Sequence, residues 1–177
     1  ASVDEATTTG RALKIPLGSF FEHLRAQSVR TPAPRAVLLS GGGNDSFEEA
    51  LAELVLPYRP GETQQAPLLN PTLLASHMAT LGAQLRTVIR AIRATPGGAS
   101  LPVILHGYDY PVPAGRGYDT STLGYQWLRQ AFEDQGYGQG ATYDLARARR
   151  AIKELIDAFN AMLAGLAADS SLGRVRH

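Results

Sequence analysis

The sequence predicts an α/β fold: a three-layer domain with a short parallel sheet flanked by helices. Two short uninterrupted apolar runs, residues 35–40 and 101–105, have the composition of strands covered on both faces. Stretches with apolar residues at three-to-four spacing lie between and after these runs and read as helices. Strand–helix units separated by helices imply parallel strands joined by right-handed crossovers.

Each element has a local reason. Residues 16–28 carry Leu17, Phe20, Phe21 and Leu24 as a helical stripe, and Arg30-Thr31-Pro32-Ala33-Pro34 breaks the chain after it. The first strand follows and stops at Gly41-Gly42-Gly43, and residues 46–55 read as a short helix. Pro57, Pro60, Gly61 and Pro67 mark residues 57–69 as a loop. Asn70 then caps a helix with Pro71 at its first position. Its stripe is Leu74, Met78, Leu81, Leu85, Val88, Ile89 and Ile92, and it ends near Ala94, before Thr95-Pro96-Gly97-Gly98. The second strand leads into His106-Gly107-Tyr108-Asp109-Tyr110-Pro111 and a Gly- and Tyr-rich segment. Residues 125–134 read as a helix. Thr142 or Asp144 starts the longest one, with Leu145, Ala148, Ile152, Leu155, Ile156, Phe159, Met162, Leu163 and Leu166 as its core face.

The chain has 177 residues, 44% hydrophobic and 19% charged, which fits a single globular domain over residues 1–177. A net charge of +1 supplies no global attraction to nucleic acid or to an anionic membrane surface. Arg147, Arg149 and Arg150 form a local basic cluster that reads as a solvated helix face, given Asp144 and Glu154 nearby. With no cysteine, disulfides, thiolate nucleophiles and Cys-ligated metals are excluded, and either a cytoplasmic or a secreted bacterial setting is compatible. No apolar run approaches the roughly 20 residues of a membrane span. Ala1-Ser2-Val3-Asp4-Glu5 lacks the basic-then-apolar pattern of a signal peptide.

In open parallel sheets, ligands bind outside the carboxyl ends of the strands. Both glycine-containing segments, 41–45 and 106–111, fall at such ends, so both belong on one sheet edge. After Ala36-Val37-Leu38-Leu39-Ser40, the turn Gly41-Gly42-Gly43-Asn44-Asp45 can aim the Asn44 amide into a cleft. A fixed donor of that kind stabilises a developing oxyanion. Asp45 can cap the following helix. His106 reads as a hydrogen-bonded structural histidine or as a residue lining the cleft. Tyr108, Asp109, Tyr110, Tyr118 and Trp127 can hold an acyl chain or a sugar, or pin the long loop. His23 and His77 lie on helices and read as structural, His177 reads as a mobile terminal residue, and no histidine pair has metal-ligand spacing. The same glycines could cradle a phosphate, but neither G-x-x-x-x-G-K-[ST] nor a full G-x-G-x-x-G is present.

The segment Gly42-Gly43-Asn44-Asp45 resembles the Gly-x-Asn-Asp block of the SGNH/GDSL-type esterases. The run Val103-Ile104-Leu105-His106-Gly107-Tyr108-Asp109-Tyr110-Pro111-Val112-Pro113 resembles the fourth-strand region of a bacterial branch of that family. Together with Phe159-Asn160-Ala161-Met162-Leu163, the similarity covers most of residues 35–177. The resemblance implies a flavodoxin-like sheet and cofactor-free, metal-free hydrolysis of an acyl or acetyl ester through an acyl-enzyme. It implies Asn44 as an oxyanion-hole donor, with Gly42 in the supporting turn and the backbone of Gly10 as a second donor. Asp45, His106, Tyr108 and Asp109 would then face the small-molecule ester. The family's Gly-Asp-Ser and Asp-x-x-His blocks are not found. Gly18-Ser19 lacks the Asp and lies too close to Gly42, and Arg174-Val175-Arg176-His177 resembles the start of the strand before the last block. The resemblance therefore implies either a domain cut short at both ends or a non-catalytic relative that binds a small ester or carbohydrate.

Overall fold

The computed structural model describes residues 22, 24, 26, 34–43, 50–61, 66–115 and 128–177. Within them the chain is mixed α/β. The elements run β1 (Val37–Leu39), α1 (Leu51–Leu54), α2 (Pro71–Ala94), β2 (Val103–Leu105), α3 (Arg129–Asp134), α4 (Leu145–Ala168) and β3 (Val175–Arg176). Single turns of 3-10 helix lie at Gly98–Ser100, Gly140–Thr142 and Ser170–Leu172. Of the helix expected at 16–28 only residues 22, 24 and 26 are described, whereas α1 falls within the one expected at 46–55. The chain forms two compact units. The first comprises Ala1–Asp45, Met78–Gly107 and Phe159–His177, and the second Ser46–His77 and Tyr108–Ala158.

The first unit holds the sheet. Its order is β1-β2-β3, every pair parallel, with Val37 opposite Val103 and Val103 opposite Val175. Val37, Val103, Leu105 and Val175 are buried, whereas Leu38 is 68% and Ile104 40% exposed. Among the described residues the sheet is therefore covered on one face, not on both as the apolar runs suggest. Apolar side chains at successive positions make a half-covered strand read like a doubly covered one.

The same unit holds the buried apolar stripes of the two long helices. Leu81, Leu85, Ile89 and Ile92 of α2 and Phe159, Leu163 and Leu166 of α4 are each at most 2% exposed. Burying each such side chain stabilises the fold by roughly 1.5–3 kcal/mol, so Ile89→Ala would cost about 2–5 kcal/mol. Helix α2 starts where its cap predicts. The Asn70 Oδ1 accepts from the backbone N–H of Thr72 at 3.1 Å and of Leu73 at 3.2 Å.

Near the end of α2, Arg93 binds the amino edge of the sheet. Its guanidinium donates to the carbonyls of Leu172 at 2.9 Å, Gly98 at 3.0 Å, Arg174 at 3.0 Å and Leu101. These carbonyls lie on the chain segments that lead into β2 and β3. A planar fork with five N–H donors suits such a gathering point, which a lysine could not reproduce. Arg86 and Asp169 add an ion pair at 3.4 Å.

The second unit is organised by one face of α4. Arg147 donates to the Arg59 carbonyl at 3.0 Å and lies over the Tyr58 ring at 4.9 Å. Arg150 donates to the Ala66 carbonyl at 3.3 Å, and Glu154 accepts from the N–H of Leu68 at 3.1 Å and of Leu69 at 3.3 Å. The expectation that Arg147 and Arg150 belong to a solvated face is thus corrected: Arg147 is buried and both hold the 57–69 loop. Spacing alone cannot show this, since the carbonyls they reach are more than 80 residues away. Tyr137 completes the unit, packed edge-on against Tyr58 at 5.4 Å and Phe132 at 5.3 Å.

Candidate functional site

At the carboxyl edge of the sheet, the register pairs Leu39 of β1 with Leu105 of β2. The ladder continues one step further, because the His106 N–H donates to the Leu39 carbonyl at 3.0 Å. Ser40 and His106, the residues just past the two strands, are thereby held side by side. The Ser40 Oγ lies 3.4 Å from the His106 Nδ1, and both side chains are exposed. When Nδ1 is the unprotonated nitrogen, the serine hydroxyl donates to it.

The backbone on either side of this pair is glycine. Gly42 is buried with φ 91°, a left-handed conformation that glycine adopts without the steric cost of a side chain. It turns the chain immediately after the strand end. Gly107, following His106, is confined differently. A Cβ there would stand 2.5 Å from the Asn160 Oδ1 and 2.8 Å from the His177 Nε2. Asn160 comes from α4 and His177 directly follows β3, so the ends of β2 and β3 and one helix meet over this glycine.

The sequence-derived residues distribute unevenly. Gly42 and His106 share the first unit and the carboxyl edge of the sheet. Asn44, Asp45 and Gly10 lie outside the described residues, as do His23, Ser19, Tyr118 and Trp127. Tyr108 and Asp109 belong to the second unit, where Tyr108 is half-buried and Asp109 exposed. The Asp109 carboxylate accepts from the Tyr110 N–H at 2.8 Å. His77 is half-buried on α2.

Of the two roles open to the aromatic segment, Tyr110 takes the pinning one. Its hydroxyl donates to the Asp157 carboxylate at 2.7 Å, and Lys153 reaches the same carboxylate at 2.5 Å. The hydrogen bond from Lys153, then that from Tyr110, lowers the Asp157 pKa, and the bond to Asp157 raises that of Tyr110. Elsewhere in the second unit, burial pushes the Tyr143 hydroxyl up to about 12, with Glu133 and Asp144 adding to the rise and Arg129 opposing it. That hydroxyl is buried and has no hydrogen-bond partner among the described residues. The Arg129 guanidinium lies 4.4 Å from the centre of its ring.

Sequence reasoning passed over Ser40, Asn160 and His177 as a group. A signal for Ser40 and His106 was available, since each is the first residue past a strand. What joins them is the register, and register is a property of pairing. Among the described residues, no three His, Cys, Asp or Glu side chains gather as a metal site, and no helix is long and apolar enough to cross a membrane. Comparison with protein-family models, curated proteins and solved structures finds no match for this chain.

Proposed function

We propose that this chain is an SGNH-type, flavodoxin-like ester-hydrolase module that takes a small acyl or acetyl ester at the carboxyl edge of its parallel sheet. The observation that carries the reading is the turn after β1. A buried glycine with φ 91° stands directly ahead of Gly43-Asn44-Asp45, the segment whose residues resemble the family's oxyanion block. A strand end that turns sharply on glycine can hold a side-chain amide at the place where carbonyl charge develops. His106 at the neighbouring strand end supports the same location with a group able to move a proton.

The test is hydrolysis of p-nitrophenyl acetate by the full chain, compared with Asn44→Ala. Loss of one oxyanion donor lowers kcat by about 10²–10³. Turnover by Asn44→Ala equal to that of the parent removes Asn44 from this role. Failure of the parent to hydrolyse short-chain p-nitrophenyl esters above the buffer rate removes the reading as a whole.

A further inference from the structure

We infer that the open face of the sheet is a docking surface for an acidic amphipathic helix of a partner protein. Alternation along the strands defines the face. Val37, Val103 and Val175 point to the buried side, whereas Leu38 and Ile104 stand side by side in register at 68% and 40% exposed. Arg176 of β3 lies opposite Ile104 and is exposed too, as are Ala36 and Arg174 one step back. A parallel sheet with a bare apolar face is unusual, because helices ordinarily cover both faces.

The connections between the strands do not cover it. The strands follow in the order β1-β2-β3, all parallel, so two right-handed crossovers carry α2 and α4 to one and the same face. That face is the buried one. A Cβ on Gly107, in step with Val103 and Leu105, would stand 2.5 Å from the Asn160 Oδ1 of α4. Leu24, on the segment ahead of β1, is buried while Leu38 and Ile104 stay open, so its burial leaves them bare.

Size and charge identify the occupant. Three strands about 4.8 Å apart span about 10 Å, roughly the diameter of one α-helix. The face is apolar toward β1 and cationic toward β3, and no Asp or Glu occurs in residues 34–43, 102–107 or 173–177. The unit that holds it carries ten Lys and Arg against five Asp and Glu, and the second unit seven against eleven, so the net charge of +1 conceals a basic unit. A helix with its apolar stripe toward Leu38 and Ile104 and carboxylates toward Arg174 and Arg176 satisfies both halves of the face. A second copy of the same face does not. A two-fold along the strands would set Leu38 against Arg176, and one across them would set Arg176 against itself. A lipid surface fits less well, since no Trp, Tyr or Phe is exposed on the described strands to anchor there.

Because the chain has no cysteine, Leu38→Cys and Ile104→Cys each place a single thiol on this face of the full chain. Each is expected to react with a maleimide at nearly the rate of a free thiol. An amphipathic peptide of about 18 residues, with Leu on one face and Glu along its borders, should slow that reaction about tenfold. Arg176→Glu should weaken the peptide about tenfold and favour a Lys-bordered version instead, and Leu38→Ser should weaken it as much. Since these side chains are exposed, thermal melts of the variants should match the parent. Thiols that react slowly without peptide overturn the proposal, because the chain's own residues then cover the face. Equal protection by the Glu- and Lys-bordered peptides, or by neither, overturns it as well. Sedimentation of the parent as a dimer that Leu38→Ser dissolves assigns the face to a second copy. Binding to phosphatidylserine vesicles that Leu38→Ser abolishes, without protection by peptide, assigns it to a membrane. None of these readouts depends on ester turnover.

Discussion

At the amino edge of the sheet one guanidinium, that of Arg93, gathers the carbonyls of Gly98, Leu101, Leu172 and Arg174. At the carboxyl edge, Ser40, His106 and His177 stay exposed, and glycines rather than side chains shape the backbone. The difference is one of use. Polar groups at the first edge are spent on one another and hold the segments that precede β2 and β3. Those at the second leave a hydroxyl and imidazoles turned to solvent, where a ligand of an open parallel sheet would sit. Stability and function are thus expected to separate by edge.

The largest effect should come from the amino edge. Arg93→Met strips several carbonyls of a charged donor, and about 3 kcal/mol of stability should go with it. Urea titration reads this as a lower midpoint at unchanged slope, and Arg93→Lys should recover little, since an ammonium is a compact point charge rather than a fork. A variant as stable as the parent would break the comparison.

Next comes Gly107→Ala, which presses a methyl group to 2.5 Å from the Asn160 Oδ1. About 1–3 kcal/mol of destabilisation is expected from overpacking. Adding Asn160→Ala should return part of the loss, and simple additivity of the two changes would argue against a direct clash.

Tyr143→Phe, in the second unit, should act in the opposite direction. Removing a buried hydroxyl that lacks a partner is expected to leave stability unchanged or raise it by up to about 1 kcal/mol. The hydroxyl's folded pKa, about 12, stands above the ordinary 10.0. Its contribution is therefore fully present below pH 10 and is lost as pH rises through about 12. Alkaline melts should fall over that window in the parent and fall less in Tyr143→Phe.

The smallest change in stability belongs to the carboxyl edge. Ser40→Ala and His106→Ala should each stay within about 0.5 kcal/mol of the parent, as exposed substitutions usually do. Loss of more than about 2 kcal/mol in either would assign the pair a structural role and erase the contrast between the edges.

Much of the fold was legible because it is local. The Asn70 cap with Pro71 and the three-to-four stripe mark α2, and the observed helix begins at Pro71 and ends at Ala94 as they predict. The strands at 37–39 and 103–105 fall inside the apolar runs. The sites of polar side chains were far less legible. No pattern in the sequence marks Arg93, and Arg147 and Arg150 read as part of a solvated face. Each proved to bind carbonyls supplied by distant segments of chain.

The sequence by itself determined the class of structure: apolar periodicity, caps and glycine turns act over a few residues and need no partner. It also carried the glycine turn after β1. Tertiary structure alone decided that Ser40 lies beside His106, because their 66-residue separation is bridged by strand register. It alone decided that Gly107 must be bare, because Asn160 and His177 arrive there from a helix and a strand near the other end of the chain. Backbone propensities are short-ranged, whereas a site is assembled by pairings that form only when the sheet closes.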